Sequence, residues 1–139
     1  MKHFDGRCLC GDVRFSAQPP SLWVAHCHCT MCQRNGGAAF ITWVGFDETR
    51  CRIEDSLGRL SWYHSSDQGE RGFCSRCGST LFFRSRRWPG ELHVTLANLT
   101  GAIDRAPQAH VFWDTHVEWL QLADDDGLPR KSEAEMAQD

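Results

Sequence analysis

Three cysteines stand within six residues of the chain, in Cys27-His28-Cys29-Thr30-Met31-Cys32. A Cys-x-Cys-x-x-Cys run can converge three thiolates on one metal ion, roughly 2.3 Å from each sulfur for zinc. Structural zinc is normally closed by four protein ligands, whereas three ligands and one exchangeable position mark a site that does chemistry. Four more cysteines form two knuckles, Cys8 with Cys10 and Cys74 with Cys77, the second followed by Gly78. Glycine there lets backbone amides face a sulfur with no Cβ in the way. Together the knuckles supply four thiolates, enough for one closed tetrahedral site. Its metal-binding energy becomes folding energy, about 10 to 16 kcal/mol in apparent terms for small zinc domains.

The remaining set, Cys27, Cys29 and Cys32, admits three arrangements. An open zinc takes water or a substrate thiol at its fourth position. Alternatively a fourth protein ligand, from His26, His28, Cys51 or His64, closes it, or the thiols hold no permanent metal. His28 lies between two ligands on an extended segment, so its side chain is expected to point away, as a supporting or surface histidine. Cys51 stands apart from both clusters and reads as a small buried hydrophobe. Soft thiolates favour zinc over magnesium or calcium and favour a sulfur-containing partner. No Ser-His-Asp signature, phosphate-binding glycine loop or dinucleotide fingerprint points to other chemistry.

The elements that must position these sulfurs are short strands. Residues 6–17 read as a half-buried strand led by the first knuckle, with Val13, Phe15 and Ala17 on one face. Leu22 to Ala25 is a short apolar strand that delivers the chain into the triad. Thr30 to Asn35 makes a turn of helix stopped by Gly36-Gly37. Further strands are expected at 38–44, 49–53, 59–64, 70–73, 80–83, 91–97 and 110–113, with Trp119 to Leu122 closing the core. Trp43, Trp62, Trp88 and Trp113 are expected in the core. From Asp124 the chain turns polar, and residues 124–139 read as a mobile tail with some helical propensity over 132–138. The fold class is therefore all-β, of twisted multiple sheets with few short helical turns, in one domain over residues 5–123.

A chain of 139 residues with formal net charge −3 has room for one core and is a poor generic nucleic-acid binder. Arg84, Arg86 and Arg87 beside Trp88 read as a solvated loop rather than an anion site. No apolar run follows a positive segment at the start, and no stretch approaches the ~20 apolar residues of a membrane span. The expectation is a cytoplasmic protein with no membrane partner, whose clustered thiols stay reduced and hold metal rather than form disulfides.

Gly6-Arg7-Cys8-Leu9-Cys10-Gly11, Cys27-His28-Cys29-x-x-Cys32, Gly72-Phe73-Cys74-x-x-Cys77-Gly78-Ser79, His110-Val111-Phe112 and Trp119-Leu120 together resemble the glutathione-dependent formaldehyde-activating enzyme family, also called the centromere protein V domain family. The resemblance spans residues 5–123 in order and spacing. It implies a twisted all-β fold like that of the zinc-containing Rab guanine-nucleotide-releasing factor, and two zinc ions. It also implies a structural zinc on Cys8, Cys10, Cys74 and Cys77, a second, functional zinc on Cys27, Cys29 and Cys32, and carbon-sulfur lyase activity on S-hydroxymethylglutathione. Where many relatives have two basic residues after the third cysteine, this chain has Gln33 and Arg34. Arg34 and Asn35 are the candidates for substrate contact.

The expected function is thus a zinc-dependent carbon-sulfur lyase acting on a small thiol adduct such as a glutathione conjugate, with Cys27, Cys29 and Cys32 as its catalytic metal ligands. The rivals are a non-catalytic zinc-stabilised binding module, which needs an exposed apolar patch built from the tryptophans, and a zinc storage or sensing protein. Histidines His110 and His116 read as satisfied structural residues.

Overall fold

Phe4 and Gly6 point inward while Asp5 and Arg7 face solvent, and this two-residue period defines β1 (Phe4–Arg7). The computed structural model describes residues 3–136. After β1 the first cysteine knuckle turns the chain back, so that β2 (Arg14–Ala17) pairs antiparallel with β1, Phe4 opposite Ala17 and Arg7 opposite Arg14. The single strand expected over 6–17 is therefore a hairpin. Gly11, at φ 83°, allows the reversal.

The chain continues through β3 (Trp23–Cys27), helix α1 (Thr30–Gly36) and β4 (Ile41–Asp47). Next come β5 (Cys51–Glu54), β6 (Leu60–His64), β7 (Gly69–Cys74), β8 (Thr80–Ser85) and β9 (Glu91–Thr95). It ends with β10 (His110–Val111), β11 (Arg130–Lys131) and α2 (Glu133–Met136). The strands form a three-stranded sheet, β1-β2-β5, and an eight-stranded sheet ordered β11-β10-β3-β4-β9-β8-β7-β6. The mostly β, multi-sheet expectation holds. Helix α1 ends at Gly37, which takes the left-handed conformation at φ 60° and donates its N–H to Gln33 O, a common helix stop.

Both faces of the large sheet are covered. Val24, Val44, Phe46, Phe82, Leu92 and Val94 on one side of the sheet, with Leu81 beside the β7–β8 register shift, meet Phe4, Val13, Phe15 and Ala17 of the first hairpin in the main core. The intervening residues Ala25, Cys27, Trp43 and, at the sheet edge, Val111 face the other way, into a second cluster with Cys32, Ile41 and Ala109. One side of each central strand thus builds the core and the other builds the candidate site.

The strand expected over 38–44 starts at Ile41 and runs on through Gly45 to Asp47. A Cβ at Gly45 would meet the Trp23 ring at 2.3 Å, so the bare glycine makes room for that indole on the neighbouring strand. Strand β9 stops at Thr95 and passes into a 3₁₀ turn, Leu96–Asn98. Strand β10 is cut to two residues because Phe112 takes a left-handed conformation, φ 54°, and opens the 3₁₀ turn Trp113–Thr115.

Two expectations for the C-terminal end are corrected. Trp119 and Leu120 do not close the core; they are 73% and 39% exposed, since the chain after the 3₁₀ turn runs along the surface with no strand to join. Residues 124–136 are not a loose tail. Strand β11 pairs with β10 in parallel, Glu133 N donates to Asp114 Oδ1 at 3.0 Å, and Met136 packs on the second cluster. The hydrogen bond of Asp126 with His110 and its salt bridge with Arg130 also fix this segment. The last residues of the expected tail, 137–139, lie outside the described residues.

Candidate functional site

The first sulfur group stands on the main-core side. Cys8 and Cys10 lie in the β1–β2 turn, Cys74 ends β7, and Cys77 follows in a tight turn where Gly78, at φ 79°, donates to Cys74 O at 2.8 Å. The two knuckles interlock, Leu9 N donating to Ser79 Oγ at 2.9 Å. All four ligand atoms lie within 4.8 Å of one another. The Cys8–Cys10 and Cys10–Cys74 sulfur separations are 3.6 and 3.8 Å. A tetrahedron with arms of about 2.3 Å has edges of about 3.8 Å, so the donor set fits zinc in both chemistry and size. Cys8 and Cys74 are buried to 1% and 0% exposure, which makes this group part of the core.

The second group is built by a strand end and a helix start. Cys27 closes β3, Cys29 is the N-cap of α1, and Cys32 is the third residue of that helix. An N-cap side chain reaches back over the first turn, and Cys29 Sγ accepts from Cys32 N at 3.2 Å. That spacing brings two sulfurs together, and the end of β3 supplies the third. The three lie within 4.8 Å of one another as a three-membered group. Hydrogen bonds from Cys27 and Cys32 draw the Cys29 thiol well below its ordinary pKa, while the bond with Cys29 pushes Cys27 up. This set suits a soft metal with one position left over.

Arg71, which the sequence reading passed over, meets this group from β7. It is 5% exposed, and its Nη1 and Nη2 lie 3.7 and 3.6 Å from Cys32 Sγ. Nη1 also donates to Asn35 Oδ1 at 3.3 Å, and the guanidinium sits 5.0 Å from the Phe83 ring centre. Trp43 Nε1 adds a further donor to Cys32 Sγ at 3.4 Å. Asn35 therefore reaches the site through Arg71. Arg34 does not line the cavity; it is exposed in the last turn of α1, where its charge complements the helix carbonyls.

Arg71 belongs to a row that crosses the sheet. Trp23 stands opposite Gly45, Gly45 opposite His93, His93 opposite Phe83, and Phe83 opposite Arg71. Glu91 Oε1 ties one end together, accepting from Trp23 Nε1 at 3.1 Å and His93 Nε2 at 2.9 Å. This row floors a cavity of about 770 Å³ onto which Cys27, Cys29 and Cys32 open, with Arg87, Trp88, Phe112, Lys131 and Met136 also on its wall.

Behind the triad runs a chain of buried histidines. His28 Nε2 and His110 Nδ1 are 2.8 Å apart, and His110 Nε2 is 2.8 Å from Asp126 Oδ2. A carboxylate only accepts, so His110 Nε2 donates to it. His110 Nδ1 and His28 Nε2 share the other hydrogen bond of the chain. Burial, with His110 next, lowers His28 to about 4, so it is neutral at physiological pH. The Asp126 carboxyl is held far below its ordinary range by Arg130, the Leu128 N–H and His110. His28 is thus neither in the sulfur group nor on the surface: it is 2% exposed and braces the ligand loop. His110 is satisfied on both nitrogens, and His116 stacks on Trp113 at 3.8 Å. Cys51 stays outside both groups, its thiol pushed up to about 11 by burial.

The arginine loop is better anchored than a solvated loop. Arg84 pairs with Glu70 at 2.6 Å, Arg86 donates to Asp67 O, and Arg87 lies 4.8 Å above the Trp88 ring and 3.8 Å from Glu133.

Comparison with known proteins agrees with this geometry. A Halomonas elongata protein named after the glutathione-dependent formaldehyde-activating enzyme is 28% identical over 127 residues, covering 85% of this chain and 80% of its own. A Schizosaccharomyces pombe protein named as an uncharacterized lyase is 29% identical over 83 residues, 60% of this chain and 58% of its own. A crystal structure of a Rhodobacter sphaeroides protein shares the fold, with a TM-score of 0.62 at 21% identity over 91% of this chain and 98% of that one. The family model for the glutathione-dependent formaldehyde-activating enzyme matches residues 3–115, and with both cysteine groups in place the chain belongs to that family.

Proposed function

We propose that this protein is a zinc-dependent carbon-sulfur lyase acting on a small thiol adduct of the S-hydroxymethylglutathione type. The observation that carries the reading is the three-sulfur group of Cys27, Cys29 and Cys32, without a fourth member among the described residues, at the wall of a cavity of about 770 Å³. That volume lies within the ~300 to 1,000 Å³ of small-molecule sites. In this reading Cys8, Cys10, Cys74 and Cys77 hold a structural zinc and the triad holds a second. A zinc held by the triad would supply Lewis acidity that favours a bound sulfur as thiolate.

The residues of the chain supply the rest. Cys27, Cys29 and Cys32 present three donors from a strand end and a capped helix start. Arg71 offsets the negative charge of the sulfurs, and Asn35 orients Arg71. Lys131 stands opposite Val111, which stands opposite Cys27. Two strand spacings separate Lys131 from Cys27, about 10 Å of backbone, a suitable reach for a carboxylate of a sulfur-bearing peptide. In the reaction the carbon–sulfur bond breaks with its electron pair going to sulfur. The adduct's hydroxyl becomes the aldehyde carbonyl, and its proton leaves to water at the cavity mouth.

The binding-module reading needs a contiguous patch of exposed tryptophans, yet Trp43 is 4% exposed, Trp62, Trp88 and Trp113 are half-buried, and Trp119 alone among the tryptophans stands out, at 73%. A storage site needs no such cavity. No helix among the described residues is long and apolar enough to cross a membrane, and free thiols in both groups suit the reducing cytoplasm, where we place the protein. The test is exchange between formaldehyde plus glutathione and their adduct, followed by magnetisation-transfer NMR with zinc-loaded protein. Acceleration that Cys29→Ser abolishes is expected; an exchange rate equal to that without protein overturns the reading.

A further inference from the structure

We infer that the carbon half of the adduct this protein handles carries a flat, apolar or aromatic group, larger than the one-carbon unit of formaldehyde. The inference rests on the thiol-adduct reading above and concerns what lies beside the sulfur. A hydroxymethyl group is small and polar and gains little from rings. The wall next to the triad is aromatic: Trp43, whose Nε1 reaches Cys32 Sγ, lies with its ring 6.2 Å from Phe83. Phe83 stands 5.5 Å from His93, which stands 4.6 Å from Trp23 and 5.6 Å from Trp88. Five rings therefore line one continuous surface that begins at the sulfurs.

Two features show that this surface is built rather than incidental. Gly45 is bare so that Trp23 can lie in the row, since a Cβ there would come within 2.3 Å of the indole. Glu91 takes the N–H groups of both Trp23 and His93, which holds the two rings nearly perpendicular, at 85°. Buried tryptophan and histidine N–H groups need such partners. The buried His93 and Trp43 back the row, and the half-buried Trp23, Phe83 and Trp88 offer their rings to the cavity. Cationic groups share this wall: Arg71 lies at Cys32 and 5.0 Å from the Phe83 ring, Arg87 lies over Trp88 and Phe112, and Lys131 is on the edge strand. The mixture suits a ligand with an anionic peptide carrier paired to the basic groups, sulfur at the triad and a planar substituent against the rings.

The experiment measures binding of two stable thioethers, S-methylglutathione and S-benzylglutathione, to the zinc-loaded full chain by calorimetry. Each is also titrated into Trp88→Leu, a half-buried position outside the sulfur group whose change keeps apolar bulk and removes a ring. The inference expects S-benzylglutathione to bind at least 10-fold more tightly than S-methylglutathione, and Trp88→Leu to lose most of that contrast. Equal affinities in the unaltered protein overturn the inference and leave the thiol-adduct reading standing. Failure of both thioethers and of glutathione itself to bind overturns both. Because the unaltered protein alone decides the main comparison, a variant that fails to fold does not remove the test.

Discussion

The guanidinium of Arg71 lies against Cys32 Sγ, with Nη1 at 3.7 Å and Nη2 at 3.6 Å, although the two residues are 39 positions apart. A buried cation beside a thiolate stabilises the deprotonated sulfur. With a divalent ion held there, as proposed, three thiolates would carry one net negative charge, which Arg71 would offset. Arg71→Met is expected to lower the affinity of the second zinc and the lyase rate by about 10- to 100-fold, the usual range for a residue supporting metal ligands. Arg71→Lys is expected to restore part of the loss. Competition with a chromophoric chelator and the adduct-exchange rate measure both.

The two sulfur groups should separate fold from activity. Cys74 is fully buried in the main core and joins a knuckle at residue 8 to one at residue 77. Its loss removes metal-binding energy from folding. Cys74→Ser is expected to lower the melting temperature by more than about 10 °C or to prevent folding. Cys29→Ser is expected to remove one zinc and the activity while the melting temperature changes little. Calorimetry and metal analysis on the two variants decide the point.

Asp126 acts on the ligand loop through His110 and His28. Asparagine at this position offers an amide that can turn its NH₂ toward His110, which disturbs the order of donors in the chain. Asp126→Asn is expected to weaken the second zinc by about 10-fold and to leave the structural zinc in place, as chelator titration in two steps shows. The Asp126 carboxyl is lowered by Arg130, the Leu128 N–H and His110. Its contribution to stability is therefore present above the ordinary aspartate pKa of about 3.9 and is lost as pH falls toward its lowered value. Acid titration of the variant's stability should show that loss removed.

Gly45 tests the aromatic row. Gly45→Ala places a methyl 2.3 Å from Trp23 Cε2 and Nε1, and strands on both sides leave the ring little freedom. The expected cost is about 1 to 3 kcal/mol, as for overpacking a core, together with weaker ligand binding. Gly37→Ala meets nothing within 4 Å but strains a left-handed backbone at φ 60°, with an expected cost of about 1 kcal/mol and no effect on ligand. Urea unfolding and thioether binding compare the two.

What was legible in the sequence follows from how local each feature is. Cys27, Cys29 and Cys32 are built by one strand end and one helical turn, so their spacing alone exposed them. The helix stop at Gly37 was legible for the same reason. Arg71 was not, because its neighbours at the site come from β8, β4 and α1, and only cross-strand register brings it there. A trace was present: Gly69-Glu70-Arg71-Gly72-Phe73 puts a long cation at an inward position of a strand flanked by glycines at 69 and 72, a costly choice without a partner. The C-terminal segment misled because Asp126 and Arg130 read as polar tail residues, while their partner His110 lies in a two-residue strand. Trp119 misled in the opposite sense: a large indole reads as core, yet it lies on the surface.

In the proposed function Cys27, Cys29 and Cys32 hold an open metal position that takes a thiol. Cobalt substituted for zinc makes this visible, since each thiolate bound to the ion adds charge-transfer absorption in the near ultraviolet. Saturating glutathione is predicted to raise that absorption by the amount due to one further thiolate per chain, and the rise should vanish in Cys29→Ser. A two-cobalt protein whose spectrum is unchanged by glutathione would contradict the account.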